Sequence, residues 1–74
     1  MKKILITGAN GLLGQKLVLD FFKWYSVLAT GKQKSFVLKD REFFYQALDI
    51  TDKEQVKSTV KDFRPELIIN TAAY

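Results

Sequence analysis

Short apolar runs alternate with amphipathic stretches in the first half of the chain. The run from Lys3 to Thr7 is rich in β-branched residues and ends at a glycine, which is typical of a strand buried on both faces of a parallel sheet. From Gly11 to about Tyr25, apolar residues recur at helical spacing and predict a helix. Ser26–Thr30, closed by a glycine, predicts a second buried strand. Together these segments predict a compact β-α-β unit.

The predicted helix has one apolar and one charged face. An apolar face of this kind packs against the sheet formed by the neighbouring strands. The residues expected on it are Leu13, Leu17, Phe21 and either Trp24 or Tyr25, and those expected on the opposite face are Lys16, Asp20 and Lys23.

The second half of the chain continues the alternation. The polar and basic stretch Gly31–Glu42 predicts a loop with room for one helical turn. The aromatic run Phe43–Leu48 and the apolar run Leu67–Asn70 predict two further buried strands. Between them we expect a helix from Asp52 to about Phe63, with Val56, Val60 and Phe63 buried.

Local signals mark both ends of this second helix. Thr51 and Glu54 stand three positions apart, so each side chain can accept a hydrogen bond from the other residue's backbone N–H. This capping box predicts Thr51 as the N-cap of a helix that begins at Asp52. Pro65 discourages helical backbone beyond Arg64 and predicts the end.

Strands that alternate with helices predict a doubly wound parallel sheet of the α/β class. The natural order of its four strands is 3-2-1-4, with the two main helices on opposite faces. The first and fourth strands then lie side by side, and ligands are expected in the crevice above their carboxyl ends.

Composition excludes several classes of function. The chain has 74 residues, which is one domain at most, and it contains neither cysteine nor histidine. A disulfide framework, a Cys/His zinc site, a thiol nucleophile and a Ser-His-Asp arrangement are therefore excluded within it, and we expect no metal site. The 12 basic and 8 acidic residues give a net charge of +4, which permits nucleic acid, a membrane surface or an anionic cofactor as partner.

The beginning of the chain is charged but does not resemble a secretory signal. Lys2 and Lys3 precede an apolar run that polar residues interrupt after Ile6. The longest apolar runs also fall far short of the ~18–20 residues that a membrane span needs. We therefore expect a cytoplasmic protein with no membrane partner.

Three of the four glycines lie between the first strand and the first helix, at Gly8, Gly11 and Gly14. This spacing suits a turn whose backbone approaches a pyrophosphate, and the helix that follows offers free N–H groups and a positive dipole end. A glycine-rich turn that binds nothing is the alternative. A Walker A loop fits poorly, because Lys16 is displaced and no hydroxyl follows it.

The segment Lys3–Gly14 resembles the opening of the extended short-chain dehydrogenase/reductase family. Two further segments, Leu48–Asp52 and Pro65–Tyr74, resemble the branch that contains the dTDP-4-dehydrorhamnose reductases. The resemblance covers essentially the whole chain. It implies that residues 1–74 are the N-terminal part of an NAD(P)-binding Rossmann domain, a partial Rossmann-like sheet, within a larger chain.

The resemblance also implies which residues bind the cofactor. Gly8, Gly11 and Gly14 would form the pyrophosphate turn, with the backbone of Asn10, Leu12 and Leu13 nearby. Asp49 and Ile50 would contact the adenine, unless Asp49 only belongs to the turn before the second helix. Ala72 and Ala73 would leave room for the cofactor at the end of the fourth strand, unless they only pack there.

The end of the second strand indicates which dinucleotide binds. NAD enzymes of this architecture place an acid on the ribose 2′-hydroxyl about 20 residues after the glycines. No acid stands there, and the turn instead supplies Lys32 and Lys34, whose charges suit a 2′-phosphate. We therefore predict a preference for NADP(H), with NAD(H) as the less favoured cofactor. Two solvated loop lysines without a ligand are the alternative.

The catalytic residues of the resembled family are not in this chain. The family's catalytic Tyr-x-x-x-Lys pair lies beyond the fourth strand, and none of Tyr25, Tyr45 and Tyr74 has a lysine four positions on. The resemblance implies an NADPH-dependent reductase of 4-keto nucleotide sugars, of which these residues would be the inactive cofactor-binding portion.

Other functions of the same fold stay open. One is a nucleotide-sugar epimerase or dehydratase of the same family. Another is a non-catalytic regulatory module, as in the regulatory subunits of methionine adenosyltransferase. A nucleic-acid partner is not expected, because the aromatic residues fall in a predicted buried strand. The expected partners are a dinucleotide, a nucleotide sugar in the larger chain, and, as one arrangement, a second copy in a homodimer.

Overall fold

The computed structural model describes residues 2–38 and 43–71, which form four strands and two helices. In chain order these are β1 (Lys3–Thr7), α1 (Leu12–Phe21), β2 (Ser26–Gly31), β3 (Phe44–Ala47), α2 (Lys53–Phe63) and β4 (Leu67–Asn70). The strands form one parallel sheet in the order β3-β2-β1-β4. The predicted strand order is therefore confirmed.

The two helices lie on opposite faces of the sheet. On one face, Val18 of α1 packs with Ile4 and Ile6 of β1 in the main core cluster. Side chains alternate across a strand, so Leu5 points to the other face, where it is only 1% exposed. The same alternation directs Gln46 of β3 toward α2, and its amide donates a hydrogen bond of 2.8 Å to Thr59 Oγ1.

Helix α1 ends earlier than its apolar pattern predicts. The helix ends at Phe21. After it, Trp24 N–H and Tyr25 N–H share the Phe21 carbonyl as acceptor, and this turn leads into β2. The fully buried residues of α1 are Gly14 and Val18. Leu13, which was expected on the apolar face, is 60% exposed, and of the two alternatives Trp24 is 70% exposed while Tyr25 packs against the core, as Leu17 and Phe21 do. The predicted charged face is confirmed, since Lys16, Asp20 and Lys23 are exposed.

The outer strands are less buried than their apolar sequences predict. Phe44 of β3 is 66% exposed, and Leu67 and Ile68 of β4 are 52% and 49% exposed. The physical reason is position, because β3 and β4 are the edges of the described sheet and each pairs with one neighbour there. The prediction that both strands are buried was wrong.

Helix α2 begins one residue later than predicted, and its cap differs. Asp52 is the N-cap, and its carboxylate accepts from the backbone N–H of Gln55 at 3.2 Å. Thr51 instead donates its hydroxyl to Asp49. The helix ends as predicted before Pro65, with Arg64 in the left-handed region at φ 55°. Thr59 is its fully buried residue, whereas the predicted Val56, Val60 and Phe63 are half-buried.

The long loop after β2 is partly described. Residues 32–38 form bends and contain no helical turn, and residues 39–42 lie outside the described residues. In the part of the chain that the structure describes, neither helix is long and apolar enough to cross a membrane.

Candidate functional site

The glycine turn after β1 has the backbone geometry that its sequence predicts. Gly8 adopts a φ of 66°, in the left-handed region that side chains disfavour. Its carbonyl accepts a hydrogen bond of 3.1 Å from Gly11 N–H, which closes the turn. Ala9 N–H donates to the Thr30 carbonyl at 2.9 Å and ties the turn to β2.

Gly14 permits helix α1 to approach this turn closely. A Cβ built at Gly14 would lie 2.3 Å from the Gly8 carbonyl oxygen and 2.6 Å from Ala9 Cα. Both are backbone atoms, which cannot rotate away. Gly11 is different, because a Cβ there would meet only the Gly8 oxygen at an ordinary 3.4 Å and otherwise stand in open space. The structure therefore requires Gly14 for packing, but not Gly11.

The amino end of α1 faces its surroundings with unpaired backbone donors. Gly11 is the N-cap and supplies no side-chain hydrogen bond, and the first turn carries no acidic residue. The N–H groups of Leu12, Leu13 and Gly14 have no acceptor within the helix. These donors and the positive end of the helix dipole favour an anionic group at this place.

A cleft of about 770 Å³ lies at this end of the helix and extends over the carboxyl ends of β1, β2 and β4. Its volume is in the range of small-molecule and cofactor sites. Among the predicted site residues, those that line it are Gly8, Asn10, Gly11, Leu12, Leu13, Gly14, Lys32 and Ile50. The structure therefore brings the glycine turn, one of the two lysines and part of the predicted adenine contact to one cleft.

The remaining predicted site residues are placed differently. Lys34 and Asp49 are exposed and are not among the cleft-lining residues of the described chain. Ala72 and Ala73 lie outside the described residues. Sequence reasoning also missed several lining residues, which are Gly31, Gln33, Leu48, Thr51 and Thr71.

Asp49 is held next to the cleft by its own turn. Its carboxylate oxygen Oδ1 accepts from Thr51 Oγ1 at 2.7 Å and from Thr51 N–H at 3.0 Å. These bonds, the hydroxyl first, lower the pKa of Asp49, and the charge of Lys32 lowers it further. The Asp49 backbone N–H donates to Gln55 Oε1 at 2.8 Å. A role of Asp49 in the turn is therefore compatible with the predicted adenine contact, because both bonds from Thr51 end on Oδ1 of the carboxylate.

The side chain of Asn10 connects the glycine turn to the loop that carries the lysines. Its Oδ1 accepts from Val37 N–H at 2.7 Å. Its Nδ2 lies within hydrogen-bond distance of Gln33 Oε1 (2.9 Å), the Ser35 carbonyl (3.2 Å) and the Tyr45 hydroxyl (3.3 Å). The Tyr45 hydroxyl in turn donates to the Gln33 carbonyl at 2.7 Å. Burial raises the pKa of Tyr45, and the Asn10 bond opposes that rise.

The end of β4 is also joined to the glycine turn. The Thr71 hydroxyl lies 2.5 Å from the Thr7 carbonyl and 3.1 Å from the Gly8 carbonyl, and it can donate to either oxygen. The Thr7 hydroxyl donates to Asn70 Oδ1 at 2.6 Å. Thr71 therefore gives the Thr7 and Gly8 carbonyls a partner within the protein and ties the end of β4 to the glycine turn.

The chemistry of the site suits phosphate groups. The open amides, the uncrowded backbone at Gly11 and the charge of Lys32 all favour such groups. Within residues 2–38 and 43–71, no group of three or more Asp and Glu side chains comes together to hold a metal ion.

The chain is similar in sequence and in fold to known proteins. The family model described as the RmlD substrate binding domain matches residues 1–74. The chain is 40% identical over 77 residues to a dTDP-4-dehydrorhamnose reductase of Aggregatibacter actinomycetemcomitans. The matched region covers 100% of the chain and 21% of that relative. The chain is 35% identical over 74 residues to methionine adenosyltransferase 2 subunit beta of Xenopus laevis, covering 97% of the chain and 20% of that relative.

A solved structure shares the same fold. An L-threonine dehydrogenase from Clostridium difficile superposes with a TM-score of 0.85 at 31% identity, covering 100% of this chain and 24% of that one. The chain spans about a fifth of the length of the two relatives named above, the reductase and the subunit beta.

Proposed function

This chain belongs to the RmlD substrate binding domain family and is related to the dTDP-4-dehydrorhamnose reductases, and from that premise we propose that it binds NADP(H) as the N-terminal part of a reductase. The proposed parent is a longer, cytoplasmic protein that reduces a 4-keto sugar attached to a nucleoside diphosphate. Residues 1–74 supply its cofactor-binding portion and none of its catalytic residues.

One observation carries the proposal. The glycine turn leaves β1 with Gly8 at a φ of 66° and directs the open amides of α1 into the cleft above the carboxyl ends of the strands. Every helix has open donors at its amino end, but a turn that merely connected a strand to a helix would not need the space above them. In parallel sheets of this strand order, that crevice is where ligands bind.

Different parts of the cleft suit different parts of the dinucleotide. The N–H groups of Leu12 and Leu13 would hold the pyrophosphate, and the uncrowded backbone at Gly11 would let it approach. Ile50 and the buried Leu48 offer an apolar contact for the adenine at the other end of the cleft. Asp49 stands beside them to accept from the exocyclic amine, and Ala72 and Ala73 are proposed to clear space near the nicotinamide.

Charge supports the phosphorylated dinucleotide. Lys32 lines the cleft directly after β2, where NAD-selective proteins place an acidic residue. Lys34 is two positions further on the same exposed loop and would add to the positive potential. Because Lys32 lies in the cleft and Lys34 outside its lining, Lys32 should contribute more to the binding of a 2′-phosphate.

The reaction itself divides between the cofactor and the protein. The bound nicotinamide supplies a hydride for the carbonyl carbon. This chain's residues bind and orient the dinucleotide, while a tyrosine and a lysine of the proposed parent, beyond residue 74, would protonate the carbonyl oxygen. Purified alone, the 74-residue chain should bind cofactor without turning over any substrate.

The test compares the affinities for NADPH and NADH by isothermal titration calorimetry. The unsubstituted chain should bind NADPH more tightly, and Lys32→Ala with Lys34→Ala should weaken NADPH by about 10–100-fold, the loss of a charge-assisted bond, while leaving NADH nearly unchanged. Lys23→Ala with Lys57→Ala removes the same charge from exposed positions away from the cleft and serves as the control. Equal affinities for the two dinucleotides would refute the NADP(H) preference, and binding of neither would refute the cofactor site.

A second candidate is a non-catalytic regulatory module, favoured by the 35% identity to methionine adenosyltransferase 2 subunit beta. Residues 1–74 do not distinguish this module from a reductase, because the distinguishing residues would lie elsewhere in the proposed parent. A Tyr-x-x-x-Lys pair and NADPH-dependent reduction by the parent support the reductase; cofactor binding without the pair or the activity supports the module. The 4-keto sugar, the homodimer and the absence of nucleic-acid binding are parts of the reductase proposal that the same parent protein would test.

A further inference from the structure

Two hydrogen bonds, one from Leu48 and one from Tyr45, hold the loop after β2 on either side of Lys32. On one side, the Gly31 carbonyl accepts from Leu48 N–H at 2.7 Å. On the other, the Gln33 carbonyl accepts from the Tyr45 hydroxyl at 2.7 Å. Lys32 is the single residue between these two fixed carbonyls, so its backbone has little freedom to move relative to the cleft.

The orientation of the Asn10 amide follows from its partners. Val37 N–H can only donate, so the atom that faces it at 2.7 Å must be the amide oxygen. The amide nitrogen then faces three oxygens, of which the Tyr45 hydroxyl can accept because it donates its own proton to Gln33. The Tyr45 hydroxyl thus both donates and accepts, while each of the other groups acts only as the donor or acceptor that it is. We call this set, Asn10 with Tyr45 and Gln33, the loop clamp.

The loop clamp is supported by packing as well as by hydrogen bonds. The Tyr45 ring stacks on Phe36 with centroids 5.3 Å apart and an interplanar angle of 9°. Phe36 is itself buried at 6% exposure, which anchors the far end of the loop in the core. Gly31 completes the arrangement, because a Cβ there would lie 2.9 Å from the Tyr45 hydroxyl.

The loop clamp joins the glycine turn to the loop that carries Lys32. Asn10 belongs to the glycine turn that would bind the pyrophosphate, and its backbone carbonyl accepts from Gln15 Nε2 of α1 at 2.7 Å. Its side chain reaches residues 33, 35 and 37 of the loop that carries Lys32. We propose that the loop clamp positions Lys32 relative to the glycine turn and thereby determines how strongly the cleft discriminates a 2′-phosphate from a 2′-hydroxyl. Asn10 and Tyr45 are then positioning residues, and this inference rests on the proposed function.

Two variants test the clamp with little risk to the fold. Tyr45→Phe removes the hydroxyl and keeps the ring on Phe36. Asn10→Ala removes the amide at a residue whose φ is not positive, so alanine adds no backbone strain. Tyr25→Phe removes a tyrosine hydroxyl outside the cleft and is the matched control.

The first measurement needs no ligand. Amide hydrogen exchange reports whether Val37 N–H is still bonded to Asn10. Exchange at Val37 should be at least about tenfold faster in Asn10→Ala, and faster to a smaller extent in Tyr45→Phe, than in the unsubstituted chain or Tyr25→Phe. Unchanged exchange at Val37 in both variants would show that the clamp does not hold the loop.

The second measurement is the ratio of NADPH to NADH affinity by calorimetry. Loss of one network hydrogen bond should lower the ratio about fivefold in Tyr45→Phe, with a larger fall in Asn10→Ala and none in Tyr25→Phe. A ratio within about twofold of the unsubstituted value in both variants, with normal binding, overturns the clamp's role alone. If the unsubstituted chain binds neither dinucleotide, the proposed function is overturned, and so is any role of the loop clamp in specificity. This outcome is seen before any variant is made.

Discussion

The glycines of the turn make different contributions, and substituting them one at a time should separate folding from binding. Gly14→Ala places a Cβ 2.3 Å from the Gly8 oxygen and 2.6 Å from Ala9 Cα, whereas non-bonded carbon contacts are comfortable at ~3.5–4.0 Å. Helix α1 must therefore move away from the turn by roughly 1 Å. Gly11→Ala requires no such movement, because the φ of −74° and ψ of 167° at Gly11 suit any residue.

The expected magnitudes differ accordingly. Overpacking against rigid backbone should cost about 3 kcal/mol in Gly14→Ala, and the better helix propensity of alanine returns about 1 kcal/mol. A net loss of about 2 kcal/mol lowers the melting temperature of a domain this size by about 8–16 °C. Gly11→Ala exchanges a glycine N-cap for an alanine, which costs about 0.5 kcal/mol, or about 2–4 °C.

The binding assay should reverse this order of severity. In Gly11→Ala the new methyl group stands where the backbone approaches the pyrophosphate, so NADPH affinity should fall at least about tenfold at a temperature where the protein is fully folded. Melting is followed by circular dichroism and binding by calorimetry. Melting of Gly14→Ala within about 3 °C of the unsubstituted chain would contradict the packing role of Gly14, and normal NADPH binding by Gly11→Ala would contradict the binding role of Gly11.

Two further predictions concern the segment before α2. Asp52→Ala should lower the free energy of unfolding by about 1 kcal/mol in denaturant titration, because it removes the N-cap. If Thr51→Ala lowered this free energy and Asp52→Ala did not, Thr51 rather than Asp52 would be the N-cap. The carboxyl pKa of Asp49, followed by NMR, should lie below its usual value and rise in Thr51→Val. Because the pKa is lowered in the folded state, the stabilisation by Asp49 is present above the unfolded-state pKa and is lost as the pH falls through the folded-state value; an unshifted pKa would contradict the Thr51 bonds.

The order of the strands could be predicted from the sequence because it depends on features that are local or repeated. Lys3–Thr7 and Leu67–Asn70 have the predicted bounds, and alternation of strands with helices was enough to give their order. Burial of the outer strands could not be predicted in this way. Apolar residues such as Leu67 and Phe44 show that a strand can be covered, whereas exposure depends on which neighbours a layer has.

The start of α2 shows a second kind of limit. The sequence holds two overlapping capping patterns, one from Thr51 to Glu54 and one from Asp52 to Gln55. Spacing alone does not choose between them. The structure uses Asp52, because Asp49 accepts the Thr51 hydroxyl and Gln55 reaches back to the Asp49 N–H.

Some features of the candidate site could also be predicted from the sequence, and others could not. Gly8 and Gly14 could be predicted because the spacing of the glycines between an apolar run and a helical pattern is a local feature of the sequence. The partners of Asn10 could not be predicted, because Gln33 and Tyr45 lie 23 and 35 positions away and become neighbours only when β2 and β3 pair.

The bonds from Thr71 to the glycine turn have a consequence for the order of assembly. The donor lies 63 residues after the Gly8 carbonyl it contacts, and nearly the whole described chain separates the two. A ribosome that has released only the first β-α-β unit has exposed all three turn glycines, but not the hydroxyl that holds the turn from the β4 side. Closing so long a loop is among the later and slower steps of folding. The first loop to be synthesised is therefore among the last to acquire its finished form, and the proposed anion site is complete only once the fourth strand has paired.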